Sequence, residues 1–260
     1  MLELQGKVAL VTGAGSGIGA AAARSLAAEG AELLLIDRRP EQMVAVAHDI
    51  RQAGGRVLAL DADIADEAQM RATFERIRSE HDRLDIVFAN AGINGTWAPV
   101  DDLTYAEWNE TQRVNLGGTF LTAHLSVPLM KAAGGSMIIT SSLNGTRTFT
   151  QAGASAYSTS KAGQLAFGQM LAIELAQYRI RVNVICPGAI ETNIIDSTVR
   201  RNTADALVPA IFPQGRIPLT KGVRGSAEQV ADLVVFLGSD RASHISGTPV
   251  WIDGAQSLLI

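Results

Sequence analysis

The sequence predicts an α/β fold: a single doubly wound domain spanning residues 1–260, with a parallel sheet of about seven strands and helices on both faces. Three observations predict it. Short apolar runs alternate with stretches of helical composition along the chain. The runs are nearly continuous rather than alternating, as in strands covered on both faces. A glycine cluster joins the first run to the first helical stretch. No linker, repeat or low-complexity segment divides the chain.

Residues 7–12 (KVALVT) read as the first strand, and the Ala-rich stretch 20–29 as a helix stopped by Gly30. Residues 32–37 (ELLLID) form the second strand and 40–52 a helix. The third strand is 56–61, followed by a helix at 67–80 and a fourth strand at 84–90. A long helical region at 105–133 precedes the strand 136–141. A helix at 158–178 leads to the strand 181–186. The helix 227–238 and the strand 249–253 close the pattern. Residues 188–225 are irregular and read as an excursion over the substrate side of the sheet.

Composition narrows the functional classes. With 47% hydrophobic and 18% charged residues the chain is globular rather than disordered. A net charge of −4 without blocks of like charge argues against nucleic acid and a membrane surface as partners. No apolar run has the length of a membrane span, and residues 1–7 lack a secretory signal core. The lone cysteine, Cys186, permits no intrachain disulfide, which suits a soluble, cytoplasmic protein. The four histidines, His48, His81, His124 and His244, show no ligand spacing, so no catalytic metal is expected.

The glycine cluster spans Gly13, Ala14, Gly15, Ser16, Gly17, Ile18 and Gly19. Glycines permit a tight turn and close approach of a pyrophosphate, and the helix behind offers free N–H groups and its positive end. Asp37 ends the second strand 18 residues after Gly19, where a carboxylate can accept from an adenosine ribose diol. Together they predict a Rossmann-type dinucleotide site. A carboxylate at Asp37 repels a 2′-phosphate and points to NAD, whereas Arg38 and Arg39 could pair with that phosphate and bind NADP.

Tyr157 and Lys161 lie four residues apart and so share a helix face. The pair also suits an ordinary helix surface. Its chemistry is the stronger argument: a phenol titrates near 10, and a neighbouring ammonium pulls that down toward use as an acid/base.

The ordered motifs resemble those of the short-chain dehydrogenase/reductase family over nearly the whole chain. The resemblance runs from the glycine turn and Asp37 through Asp63-Ile64 and Asn90-Ala91-Gly92. It continues with Asn115, with Ser142 after the fifth strand, and with Tyr157 and Lys161. Pro187-Gly188, Ile190 and Thr192 follow, and Trp251-Ile252-Asp253-Gly254 closes it. It implies that Tyr157 is the acid/base and that Lys161 tunes it and holds the nicotinamide ribose. It further implies that Ser142 donates to the substrate oxygen and that Asn115 supports a proton-relaying water. The cofactor residues implied are Gly13, Ser16, Gly17, Ile18, Gly19, Asp37, Asp63, Ile64, Asn90, Ala91, Gly92, Tyr157, Lys161, Pro187, Gly188, Ile190 and Thr192. A homotetramer is implied too, and the apolar residues 257–260 are expected to bury at a subunit contact. An asparagine within a helix is a poor helix former, so Asn115 also marks an expected local distortion.

The chain departs from the family's pattern in two places. The fifteen residues from Ser142 to Tyr157 exceed the usual interval by two, and Ser141 is an adjacent competitor. Ala255 stands where a second glycine is common. The extra length at 146–154 should border the substrate. Candidate substrate contacts are Asn94, Trp97, Asn144, Gln151 and Ala154, together with residues 190–195 after Pro187-Gly188. The amides hint at a hydroxylated small molecule such as a polyol. The expected function is hydride transfer between NAD(H) and a secondary alcohol or ketone. The alternatives are an NADPH-dependent 3-oxoacyl-carrier-protein reductase, with a basic patch among Arg200, Arg201, Arg216, Lys221 and Arg224, and a non-catalytic dinucleotide sensor.

Overall fold

Seven parallel strands form the central sheet of the computed structural model, which describes residues 2–207 and 216–259. Residues 208–215 of the expected excursion, and Ile260 of the expected terminal contact, lie outside the described residues. In chain order the elements begin β1 (Val8–Thr12), α1 (Gly17–Ala28), β2 (Glu32–Asp37), α2 (Pro40–Gln52), β3 (Val57–Asp61), α3 (Glu67–Glu80) and β4 (Ile86–Ala89). A short strand β5 (Gly95–Trp97) precedes α4 (Tyr105–Gln112) and α5 (Gly118–Met130). Then come β6 (Gly135–Thr140), α6 (Ser155–Ala176), β7 (Ile180–Pro187), β8 (Thr198–Arg200), α7 (Ala227–Gly238) and β9 (Pro249–Ile252).

The sheet order is β3-β2-β1-β4-β6-β7-β9, so the order reverses between β1 and β4. Strand side chains alternate between two apolar layers. Leu33 and Leu35 of β2 join α1, α2 and α7 on one face, while Leu34 and Ile36 join α3, α5 and α6 on the other. All four are fully buried, each contributing roughly 1.5–3 kcal/mol by leaving water. This two-sided burial is why the strands read as continuous apolar runs.

The structure follows the predicted fold class and refines three elements. The helical region at 105–133 is α4 and α5 joined by a wide π turn at Arg113–Gly117, which contains Asn115. α6 begins at Ser155, earlier than expected, which puts Tyr157 in its first turn. A separate two-stranded ribbon pairs β5 with β8 in parallel, Thr96 opposite Val199. Strands of three residues are too short to show a period, so the sequence gives no sign of them.

Candidate functional site

A crevice opens where the sheet order reverses, at the carboxyl ends of β1 and β4, the place where open α/β sheets accept ligands. Thr12 stitches the two ends together. Its Oγ1 accepts the N–H groups of Asn90 (3.0 Å) and Ala91 (3.2 Å), and Asn90 Nδ2 donates to Thr12 O (3.2 Å).

The glycine turn forms one wall. Gly13 (φ +67°) and Gly17 (φ +52°) adopt the left-handed conformation that disfavours other residues. A Cβ on Gly19 would lie 2.1 Å from Gly13 O, so this glycine packs inside the turn, whereas Gly13, Ser16, Gly17 and Ile18 line the cleft. α3, α4 and α7 have side-chain N-caps; Ser16 gives α1 none, so its first N–H groups have no side-chain acceptor.

Asp37, buried at the end of β2, faces this turn. Its Oδ2 accepts Gly15 N–H (2.9 Å) and its Oδ1 accepts Arg39 N–H (3.0 Å). The Arg39 guanidinium folds back, with Nη2 donating to Ser16 Oγ (3.1 Å) and Nε 3.7 Å from Asp37 Oδ1. Arg39 Nε is buried without a hydrogen-bond partner among the described residues. Arg38, exposed, also lines the cleft. Asp63, Ile64, Asn90, Ala91 and Gly92 continue the wall, and Pro187, Gly188, Ile190 and Thr192 form the opposite side. The turn, the uncapped helix end, Asp37 and the orphaned Arg39 Nε fit a dinucleotide.

At the inner end the cleft reaches Ser142, Tyr157 and Lys161, all nearly buried. Tyr157 and Lys161 share a face of α6, with Lys161 Nζ 5.6 Å from the phenol ring centre. Burial pushes the Tyr157 phenol up from its ordinary value, and the Ser142 hydroxyl facing it acts in the opposite direction. Burial pushes the Lys161 ammonium down to about 7. Nζ donates to Thr140 O at 3.0 Å. The sequence predicts that the lysine lowers the phenol; in the structure burial dominates both groups, raising the phenol against Ser142 and lowering the ammonium against Cys186. Ser141 Oγ donates to Lys161 O (2.7 Å), so the two adjacent serines hold different partners.

Asn115 is fully buried behind this group. Its Oδ1 accepts Ile93 N–H (2.8 Å), and its Nδ2 donates to Ile93 O (2.9 Å) and Ser160 Oγ (2.9 Å). Gly92 passes between Asn115 and the lysine: a Cβ there would lie 3.0 Å from Asn115 Oδ1 and 3.6 Å from Lys161 Nζ.

The five candidate substrate residues divide. Asn94 is buried and ties down the excursion: its N–H donates to Ser197 Oγ (2.9 Å) and its Nδ2 to Thr198 Oγ1 (2.7 Å). Trp97 packs 6.5 Å from Tyr157, ring centre to ring centre, and Ala154 completes that apolar cluster. Asn144 and Gln151 line a second cavity that adjoins the first at Ser142. Thr12, Thr140 and Ser160 lie within the sequence motifs but are given no role by them: Thr12 acts through Oγ1 on the β4 end, Thr140 through its carbonyl on Lys161, and Ser160 behind the site on Asn115. Cys186 is a free, buried thiol pushed up to about 11, mainly by burial. Among the described residues no group of three His, Cys, Asp or Glu side chains could hold a metal, and no helix is long and apolar enough to cross a membrane.

Comparison with known proteins places this architecture. A family model described as enoyl-(acyl carrier protein) reductase matches residues 13–255. Levodione reductase from Leifsonia aquatica is 36% identical over 96% of this chain and 94% of its own length. Cis-4-hydroxycyclohexanecarboxylate dehydrogenase from Sinomonas cyclohexanicum is 36% identical over 96% of each chain. The crystal structure of a 3-ketoacyl-ACP reductase from Sinorhizobium meliloti 1021 is 51% identical, covers 97% of this chain and 100% of its own, and superposes with a TM-score of 0.93.

Proposed function

Because the chain belongs to the short-chain dehydrogenase/reductase family of NAD(P)-binding oxidoreductases, we propose that it interconverts a secondary alcohol and a ketone with NAD(H), using Ser142, Tyr157, Lys161 and Asn115. The observation that carries this reading is a single cleft of about 290 Å³ holding both the glycine turn and the Ser142, Tyr157 and Lys161 side chains.

When bound, the nicotinamide dinucleotide supplies the two-electron donor or acceptor for the carbinol carbon. The chain supplies the rest. Tyr157 takes the proton from the alcohol oxygen on oxidation and returns it to the carbonyl oxygen on reduction. Ser142 donates a hydrogen bond to that oxygen as negative charge gathers on it. Lys161 holds the nicotinamide ribose and, when charged, stabilises the phenolate. Asn115 fixes the Ile93 backbone and Ser160, the residue before the lysine. Trp97 and Ala154 keep water from the phenol. Asp37 holds the adenosine ribose, and its carboxylate supports NAD over NADP because a 2′-phosphate would meet like charge. The relatives named for levodione and for a hydroxycyclohexanecarboxylate support a small alcohol or ketone as substrate.

One second reading has support: an NADPH-dependent 3-oxoacyl-carrier-protein reductase, as the Sinorhizobium neighbour is named. Arg38 and Arg39, both lining the cleft, would then hold the 2′-phosphate. Paired fluorescence titration with NADH and NADPH separates the two. Tighter NADH supports the leading reading; tighter NADPH transfers support to the second. Tyr157→Phe with retained dinucleotide binding should lose activity by about 10²–10⁴-fold. Unchanged turnover in that variant rejects the mechanism.

A homotetramer is part of the proposal. Its support is apolar surface on α5 and α6, where Phe120, Met170 and Ile173 are exposed, and at the chain's end, where Leu258 and Leu259 are exposed. A monomer by light scattering rejects it.

A further inference from the structure

The second cavity has a volume of about 410 Å³ and shares Ser142 and Gly188 with the cofactor cleft. A molecule whose oxygen lies on Ser142 therefore has room to extend into it. Its polar lining is rich in donors and includes Arg216, Arg224, Asn144, Gln151 and Gln256. No Asp or Glu lines it among the described residues. The Asn144 and Gln256 oxygens are already committed: Asn144 Oδ1 accepts from Thr148 Oγ1 (3.0 Å), and Gln256 Oε1 accepts from Ala189 N–H (3.0 Å). The amide nitrogens of both remain available to donate. Behind Gly188, both Asp253 oxygens accept backbone N–H groups, from Ala255 (3.1 Å) and Ser257 (2.9 Å).

Arg224 is the decisive group. Among the described residues its side chain has neither an ion pair nor a hydrogen bond. A guanidinium beside a cavity of amide donors, with no carboxylate to balance it, is complementary to an anion, and its planar fork matches a carboxylate in particular. We infer that this cavity seats the acid group of the substrate, with the carboxylate on Arg224 and the reacting oxygen on Ser142, so that the enzyme works on hydroxy acids and oxo acids. The inference rests on the proposed role of Ser142 and Tyr157 at the reacting oxygen and adds the substrate class.

The test compares 4-oxocyclohexanecarboxylate and 4-oxopentanoate, each beside its methyl ester, in wild type, Arg224→Gln and Arg224→Lys. The reductive reaction is followed with whichever dinucleotide binds tighter. The expected result is a preference of about 10–100-fold in kcat/KM for each acid over its ester in wild type. Arg224→Gln should abolish that preference through KM while the ester kinetics stay unchanged, and Arg224→Lys should restore part of it. Equal use of acid and ester by wild type overturns the inference. So does an acid preference that survives Arg224→Gln, or a clear preference for a neutral acetoacetyl thioester over both acids. Calorimetry with the dinucleotide present distinguishes the two levels of argument. Acid binding that is lost in Arg224→Gln without turnover of any compound upholds the acid seat and rejects the catalytic reading. Absence of acid binding to wild type rejects the acid seat alone.

Discussion

Arg201 grips Glu107 through a two-pronged ion pair, with Nη1 2.8 Å from Oε1 and Nη2 2.9 Å from Oε2. The same carboxylate closes the cap of α4 by accepting Thr104 N–H (2.9 Å) and Thr104 Oγ1 (2.8 Å). The Arg201 backbone N–H donates to Trp97 O at 3.0 Å. One carboxylate thus joins the excursion, the start of α4 and the ribbon that carries Trp97 to Tyr157. Glu107→Gln should raise substrate KM by about 2–5-fold with a smaller change in kcat, as steady-state kinetics will read. The Arg201 guanidinium, followed by Thr104, holds the Glu107 carboxyl well below the ordinary range. A depressed folded value means that the pair's stabilisation is complete above the unfolded pKa, about 4.3, and is lost only as pH falls through the lower folded value. Between pH 5 and 8 the wild-type KM should show no titration from this pair.

Lys161 makes the opposite prediction for stability. Burial lowers its ammonium to about 7, so folding disfavours the charged form. The unfolded chain, with a lysine pKa near 10.4, binds the extra proton between those values, so stability rises with pH across that window. The penalty is complete below pH 7 and gone above about 10.4. Lys161→Met should therefore abolish activity yet raise Tm by about 2–6 °C at pH 6. That gain should shrink toward pH 9.5. A Tm that falls equally at both pH values would mean that the Nζ bond to Thr140 outweighs the cost of burial.

Replacing Asp37 should change which dinucleotide is held. Its two oxygens order the N–H groups of Gly15 and Arg39, and its charge sits where a 2′-phosphate would lie under the proposed binding mode. Asp37→Asn should weaken NADH by about 10-fold and strengthen NADPH, since the Arg39 guanidinium loses its carboxylate. Parallel titrations of the two nucleotides measure the ratio. A ratio that does not move would place the adenosine end elsewhere.

Gly19→Ala tests the packing inside the turn. The added methyl would meet Gly13 O at 2.1 Å and Asn90 Nδ2 at 2.8 Å, both held by the packed ends of β1 and β4. Overpacking of this kind costs about 1–3 kcal/mol, which corresponds to a Tm lower by about 3–10 °C. Differential scanning calorimetry reads the loss directly.

The sheet was legible because both of its faces are apolar: Leu33 through Ile36 point alternately to two cores, so no polar residue interrupts the run. The glycine turn was legible because Gly13 and Gly17 need positive φ, which few residues can replace. Asn115 was legible as an anomaly, and the π turn is the backbone's answer to it. Other features left no mark. Asn94 and Gln151 look alike as loop amides, yet one is consumed by Ser197 and Thr198 while the other lines an open cavity. That difference depends on partners about a hundred positions away. The sequence also gives the residue types of Tyr157 and Lys161 without the degree of burial, and burial sets the direction of both pKa shifts.

The ribbon of β5 and β8 has a consequence for how this protein can change. Its backbone bonds, together with Asn94, fasten residues 94–97 to residues 197–200, two stretches far apart in sequence that border the proposed reaction centre. Neither can be exchanged alone. A loop transplanted from a relative at 188–225 would arrive without its matching partner strand and would leave Asn94 and Trp97 facing the wrong register. Retargeting this enzyme to new molecules by recombination therefore requires both stretches to travel as one cassette, although about a hundred residues of helix and sheet lie between them.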